Sequence, residues 1–296
     1  LPPTLRRQRQ MCIRDRAYVG GLGLGLVCLI FDQHVIGFLV TILAILGSVI
    51  FGAIWGIIPG YLQAKRGSHI VITTIMFNFI AAALMVYLLV NVIIEPGQMS
   101  PETRDFASGV GLVQIHILAK YLGLDMAMSP LNLSFIVALT VSVGFWFLVW
   151  RTKFGYEVRS LGHSETAAIY AGIKVSSTII IVMAISGGLA GLVAINELLG
   201  VHNKLLLGFT AGYGFTGIAV ALMGRNHPVG IFLASLLFGA LYQGGTELDF
   251  EFSSITREMV LLIQGLIILF SGALAYMLNP LVERIYIKYY GNYNNA

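Results

Sequence analysis

The sequence contains few charged residues for its length. Of its 296 residues, 11% are Asp, Glu, Lys or Arg, whereas 57% are hydrophobic. A soluble domain carries about 25% charged residues, so this chain has too little charge to cover a surface that faces water. The composition therefore indicates a membrane protein, and it excludes a disordered chain and a protein that binds nucleic acid.

Cysteine is also scarce, because Cys12 and Cys28 are the only two. Two cysteines provide neither a disulfide framework nor a cysteine metal cluster, and the six histidines show no spacing of metal ligands. The sequence lacks the G-x-S-x-G and H-E-x-x-H motifs of hydrolases and the G-x-x-x-x-G-K-[ST] loop that cradles phosphates. It therefore predicts no catalytic residue, no metal site and no cofactor.

Long apolar runs dominate the chain instead. A membrane-spanning helix needs about 20 apolar residues, and seven runs qualify as candidate spans. An eighth stretch, 209–223, is short and is broken by three glycines. We predict an all-α, polytopic helical membrane protein whose transmembrane domain covers 17–280, with about eight crossings. The seven longer candidate spans are 17–31, 34–58, 69–94, 131–150, 176–196, 228–244 and 259–279.

The two ends of the chain differ from this domain. Residues 1–16 hold five arginines and no apolar run. They are either a basic leader or foreign sequence joined to a truncated protein, and the sequence leaves both interpretations open. Residues 281–296 are predicted to be a cytoplasmic tail.

Basic residues predict the orientation, since they are enriched in cytoplasmic loops. If Lys65 and Arg66 are cytoplasmic and the spans alternate, 14 of the 18 basic residues lie inside. The alternation agrees with this distribution only if 209–223 also crosses the membrane. Both termini then lie in the cytoplasm. The loop 151–175 is then cytoplasmic and the loop 95–130 external. The four outer basic residues are Arg104, Lys120, Lys204 and Arg257.

The cytoplasmic loop 151–175 is long for a connector and unusually polar. Ser164 can cap a short helix, Glu165 complements its positive dipole end, and Gly172 is a suitable stop. Ala167, Ala168 and Ala171 would give this helix a low apolar surface. In an arbitrary membrane protein such a helix is simply an interfacial connector.

The same loop carries a resemblance to a known family. The run GYEVRSLGHSETAAIYAGI resembles the cytoplasmic coupling segment of permease subunits of ABC importers, in the branch for ribose-type sugars, nucleosides and branched-chain amino acids. The runs at 52–81 and 212–241 resemble the nucleoside and simple-sugar subgroup. Matching stretches cover most of 50–280. The family usually has about ten helices, which implies that an N-terminal part is missing here.

The resemblance implies a division of labour among subunits. Separate ABC ATPase subunits would dock on the short helix, a second permease copy or paralogue would complete the membrane domain, and an extracytoplasmic solute-binding protein would deliver the solute. The complex would lie in the bacterial inner membrane. The segment implied to couple to the ATPase includes Arg159, Gly162, Glu165, Ala168 and Gly172, with Gly162 and Gly172 permitting sharp chain reversals.

The implied solute is a nucleoside or a simple sugar, with branched-chain amino acids as an alternative. An ion-coupled secondary transporter is another alternative, but such proteins usually place charged residues near the midplane. A membrane enzyme or an assembly factor would leave the coupling-like loop unexplained.

Polar residues inside the spans are candidates for the solute path. Asn78 lies near the centre of its span with Thr74 one turn before it, and Asn196 and Gln264 lie nearer the outer boundary. Asn78 and Thr74 either face an aqueous path or join helices by hydrogen bonds. Asn196 and Gln264 either face the mouth of the path or contact lipid headgroups. Pairs of glycines four residues apart, which form small-xxx-small motifs, predict close helix packing instead. These motifs are formed by Gly52, Gly56, Gly60, Gly187 and Gly191.

Overall fold

A computed structural model describes residues 14–251 apart from 96, 108, 122–130 and 211, together with 259, 262–267, 269 and 270. Regular structure in this part is helical, and two isolated β-bridges join loops. The chain divides into two compact units, residues 1–215 and 216–296. The predicted all-α class is therefore confirmed for the described residues.

The helices follow one another with short connections, except between α3 and α5 and between the π-helix and α9. A π-helix, Ile195–Val201, continues almost directly from α8. The α-helices are α1 Arg14–Phe31, α2 Gly37–Arg66, α3 Ile70–Asn91, α4 Ile115–Tyr121, α5 Ser134–Arg151, α6 Lys153–His163, α7 Glu165–Tyr170, α8 Val175–Gly191, α9 Tyr213–Met223 and α10 Pro228–Glu251.

The long helices of the first unit alternate in direction, so this unit has two ends. At the Asp32 end, α1 stops and α2 starts, and the loop after α3 crosses towards α5 and the π-helix. At the opposite Lys65 end, Ser176 Oγ at the start of α8 donates a 3.3 Å hydrogen bond to the carbonyl of Ala64. The two short helices α6 and α7 also contact α8 there.

Glycines bring α2 and α8 into close contact in the middle of this unit. A Cβ atom at Gly52 would overlap the carbonyl oxygen of Gly187, and one at Gly187 would overlap that of Gly52. Ser48 Oγ donates a 2.6 Å hydrogen bond to the carbonyl of Gly191 across the same interface. The predicted close packing of these glycines is confirmed.

Five helical segments are long and apolar enough to cross a membrane: 37–66, 70–91, 134–151, 175–201 and 228–245. A multi-pass membrane protein is thus supported, but the count of about eight crossings is not confirmed.

Helix α9 rises only about 16 Å over its 11 residues, about half of the hydrocarbon thickness. Helix α1 begins at Arg14, three residues before the predicted span. Most of the candidate span 259–279, and all of 1–13 and 281–296, lie outside the described residues.

In the second unit, α9 and α10 are joined by a tight turn. Arg225 and Asn226 both adopt left-handed conformations, with φ of 52° and 56°. A Cβ atom at Gly224 would overlap the backbone of Ile231 at the start of α10. The turn therefore depends on glycine where the two helices approach each other.

Candidate functional site

Thr74 and Asn78 lie one turn apart on α3, so they share one face of that helix. Thr74 is buried, and its hydroxyl donates to the carbonyl of Ile70 at 2.7 Å within its own helix. The Oδ1 atom of Asn78 is also buried, but it has no hydrogen-bond partner in the described part of the chain. A buried acceptor without a donor is costly in a protein interior, so the Asn78 oxygen needs a donor from elsewhere, whereas the only hydroxyl proton of Thr74 is already used.

Asn196 is placed differently, in the first turn of the π-helix. Its Oδ1 accepts from Ser134 Oγ at 2.8 Å and from Asn132 Nδ2 at 3.1 Å, and its Nδ2 donates to Glu197 at 3.1 Å. These bonds tie the π-helix to the start of α5. Asn196 is therefore already engaged in joining two elements at the Asp32 end.

Gln264 belongs to the second unit, where it is buried at 6% exposure. The structure thus brings two of the four predicted path residues, Thr74 and Asn78, onto one helix face. Asn196 lies at the Asp32 end of the same unit.

A loop that we call the strap, residues 97–107 and 109–114, covers the Asp32 end of the first unit. Phe106 and Val110 are buried and belong to its hydrophobic core. The backbone amide of Gly111 donates to Thr41 Oγ1 of α2 at 3.3 Å, and that of Leu112 donates to the carbonyl of Leu199 at 2.9 Å. The strap therefore contacts both α2 and the π-helix.

An ion pair fastens the strap to the end of α1. The guanidinium of Arg104 donates to both carboxylate oxygens of Asp32, at 2.7 and 2.8 Å, and to the carbonyl of Leu29 at 3.3 Å. The Asp32 side chain is fully buried. The hydrogen bonds from Arg104 hold the pKa of Asp32 below its usual range, and the same pair raises the pKa of Arg104. The pair is therefore charged at neutral pH.

Residues 202–210, which we call the inward segment, run from the strap along α1. A Cβ atom at Gly25 would lie 2.9 Å from Leu205, and one at Gly21 would overlap the ring of Phe209. The Phe209 ring also packs edge-on against Tyr18, with centroids 5.7 Å apart. Glycines on α1 thus make room for a non-helical segment inside the unit.

The short helix at the Lys65 end has the predicted cap. Ser164 Oγ accepts a 3.3 Å hydrogen bond from the amide of Ala167. At the other end, Gly172 has a φ of 77°, and the amide of Ile173 donates to the carbonyl of Ala168 at 3.0 Å. This is the bonding pattern of a glycine-stopped helix.

The exposed surface of α7 differs from the predicted one at one of its three alanines, since Ala167 and Ala171 are exposed but Ala168 is not. Ala168 is only 1% exposed, so it faces the protein and does not contribute to an open surface. Tyr170 and Ile169 are 93% and 57% exposed and form the open apolar side. Gly162 lies inside α6, and the reversal after α6 occurs at the extended residue Ser164. Glu165 and Arg159 are exposed.

The sequence did not single out the Arg104–Asp32 pair or the inward segment. Arg104 was recognised only as one of the four outer basic residues, and Asp32 was not considered as its partner. Their 72-residue separation leaves no spacing signal that would pair them. The glycines of α1 are a local feature from which a close neighbour could have been predicted, although it was not predicted from them.

Comparison with known proteins places the chain among transporter subunits. Residues 15–272 match the family described as "Branched-chain amino acid transport system / permease component". The chain is 35% identical to a guanosine ABC transporter permease protein of Bacillus subtilis, over 82% of this chain and 68% of the relative. It is 31% identical to a glucose ABC transporter permease protein of Haloferax volcanii, over 77% and 60%, and 31% identical to a nucleoside ABC transporter permease protein of Lactococcus lactis, over 78% and 63%.

The match therefore spans 60 to 68% of the length of these three relatives. No solved structure matches the chain.

Proposed function

Because the chain belongs to the family of ABC transporter permease components, we propose that it forms the solute path of an ATP-driven importer. The family membership confirms the resemblance to the ribose and nucleoside branch. The observation that carries the proposal is the capped helix α7 with its exposed Ile169 and Tyr170, held between α6 and α8 at the Lys65 end.

The proposed partners follow from this arrangement. ATPase subunits dock on α7 at the Lys65 end, which is cytoplasmic, and a solute-binding protein meets the opposite end. A second permease copy or paralogue completes the membrane domain, and the complex lies in the bacterial inner membrane with both termini of this chain in the cytoplasm. Since α7 is short and stopped by Gly172, it presents a compact surface to a groove on a soluble partner.

The coupling proposal makes a direct prediction for Tyr170. Replacing Tyr170 by Ala, or Ile169 by Arg, removes or charges the exposed apolar side of α7. We expect loss of co-purification with the ATPase, or loss of ATP-driven uptake into membrane vesicles. Ala168 is not suitable for this test, because an Arg at this buried position would disturb the packing of the helix itself.

The matched control is Tyr61→Ala. Tyr61 is an aromatic residue on α2, about one turn before Lys65, and it is 49% exposed. It lies outside α6 and α7, so its replacement should leave both co-purification and uptake intact. If Tyr170→Ala and Ile169→Arg behave like this control, α7 is only a connector.

We propose that the solute is a nucleoside, because two of the relatives described above are named as guanosine or nucleoside permeases. A simple sugar is the second candidate, since another is named as a glucose permease. Branched-chain amino acids, and coupling to an ion gradient in place of ATP, remain the alternatives. Uptake of labelled guanosine, glucose and leucine into vesicles with and without ATP distinguishes all four.

The path itself is proposed to pass Asn78 and Thr74 on α3. The Oδ1 of Asn78 is buried and has no partner among the residues that the structure describes. This supports the choice, because such an acceptor can take a hydrogen bond from a solute hydroxyl or amino group. Asn196 and Gln264 are proposed as further residues of the path, although Asn196 also joins α5 to the π-helix.

A further inference from the structure

We propose that Arg104 is a positioning residue for the solute path, because its pair with Asp32 fixes the strap and the strap in turn fixes the inward segment. The inference rests on the proposed function only in its last step, which links the inward segment to solute transport. The mechanical part concerns this chain alone, and three sets of contacts support it.

The first set anchors the strap to α1. Arg104 occupies both oxygens of Asp32, and Asp32 Oδ2 also accepts from the amide of Ala107 at 3.1 Å. Arg104 also donates to the carbonyl of Leu29, which lies in the last turn of α1 and has no partner within that helix. One guanidinium thus satisfies a buried carboxylate and a helix end together, which no neutral side chain can reproduce.

The second set joins the strap to the inward segment. The amide of Thr103 donates to the carbonyl of Leu205 at 2.9 Å, and the amide of Leu205 donates back to Thr103 Oγ1 at 3.0 Å. The amide of Phe106 donates to the carbonyl of Asn203 at 2.8 Å. Thr103 and Leu205 are 1% and 0% exposed, so water does not replace these bonds while the strap is in place. Arg104 lies between Thr103 and Phe106.

The third set places the inward segment deep in the unit. Phe209 contacts α1 at Gly21, ten residues before Phe31, which corresponds to a depth of about 15 Å below the end of the helix. Non-helical backbone at membrane depth is tolerated only where protein buries it or where it lines a cavity. The position of this segment therefore depends on neighbours such as the strap, and the strap depends on Arg104.

Hydrogen–deuterium exchange of the purified chain in detergent tests this dependence. Arg104→Ala is expected to accelerate amide exchange about tenfold or more in the strap and also in the inward segment. Exchange in α2 and α8 should be unchanged, which shows that the fold is intact. The control is Lys204→Ala, because Lys204 pairs with Glu102 across the same two segments at 3.1 Å but holds no helix end. It should leave exchange at Leu205 within about twofold of the unaltered protein.

Acceleration confined to the strap, with the inward segment still protected, overturns the proposal, as does equal acceleration in the Lys204→Ala control. The double variant Asp32→Arg with Arg104→Asp is expected to restore part of the protection, since it exchanges the acidic and basic partners of the ion pair.

If Arg104→Ala does not fold, Arg104→Lys replaces it. A lysine keeps the charge but not the two-pronged geometry, so faster exchange in both segments is still expected, and unchanged exchange at Leu205 overturns the proposal.

Uptake tests the last step with guanosine as the probe. The Arg104→Ala protein is expected to show a raised half-saturation concentration at a normal protein level, and an unchanged value overturns its role in the path. If the unaltered protein takes up no guanosine, the proposed solute is contradicted instead. The exchange comparison then still decides whether Arg104 positions the inward segment.

Discussion

Asn78 and Thr74 occupy the same face of α3 but use their hydrogen-bonding groups differently. The Thr74 hydroxyl is satisfied by the carbonyls of Ile70 and Val71, at 2.7 and 3.0 Å. The Asn78 amide oxygen is buried and unpartnered among the described residues. A threonine can return its hydrogen bond to its own helix, whereas an asparagine in the middle of a helix needs an external partner to use its full capacity.

This difference predicts the outcome of removing each group. If Asn78 contacts the solute, Asn78→Leu removes a hydrogen bond worth about 1–2 kcal/mol, and solute affinity falls roughly 10-fold. Thr74→Val is the matched control and should leave uptake nearly normal. Guanosine uptake at equal amounts of folded protein measures both. A lower amount of folded Asn78→Leu protein would instead show that Asn78 joins helices.

Single polar residues in apolar runs were visible in the sequence, but their partners were not. Asn78, Asn196 and Thr74 were all recognised as polar groups at membrane depth or near its boundary. The two donors to Asn196 Oδ1 lie 62 and 64 residues away, and only the packing of α5 against the π-helix brings them together. Periodicity within one segment holds no information about such contacts.

At the scale of single elements, the cap and the stop of α7 were predicted correctly, but the side of α7 that is buried was not. The cap of α7 depends on a hydrogen bond between residues three apart, and its stop depends on the left-handed conformation of Gly172. Both are encoded within ten residues. Which side of α7 is buried depends on α6 and α8, so the sequence assigned Ala168 to the open surface although it faces the protein.

The glycine contact between α2 and α8 could be predicted because its pattern lies within each helix. Gly187→Ala should destabilise the protein by about 1–3 kcal/mol, because its Cβ would overlap the carbonyl of Gly52. Gly144→Ala on α5 is the control. Among the described residues, no atom beyond the helix's own backbone lies within 4 Å of a Cβ there, so the change should be neutral or stabilising by up to about 1 kcal/mol. Melting temperatures in detergent compare the two, and equal losses would contradict the tight contact.

At the scale of the whole molecule, the sequence predicted most helices but not how the chain is arranged between them. Six of the eight predicted spans overlap long described helices. The strap and the inward segment were missed, because neither has the apolar periodicity of a span. Their positions result from pairing between residues about 100 apart, such as Thr103 and Leu205.

The distribution of basic residues over the two ends of the first unit supports the proposed orientation. Helices α1, α2, α3, α5 and α8 alternate in direction, so loops that the sequence assigned to one side do share one end. Exposed basic residues are concentrated at the Lys65 end. They are Lys65, Arg66, Arg151, Lys153, Arg159 and Lys174.

The orientation predicts which positions an impermeant thiol reagent reaches in whole cells. Met99 in the strap is fully exposed, and Lys153 at the start of α6 is exposed at the opposite end. With Cys12 replaced by Ser, Met99→Cys should be labelled from outside, whereas Lys153→Cys should be labelled only after the membrane is opened. Cys28 is fully buried and should remain unreactive in both variants. Because basic loops are retained in the cytoplasm, labelling of position 153 but not 99 in intact cells would reverse the orientation and place α7 on the wrong side for an ATPase.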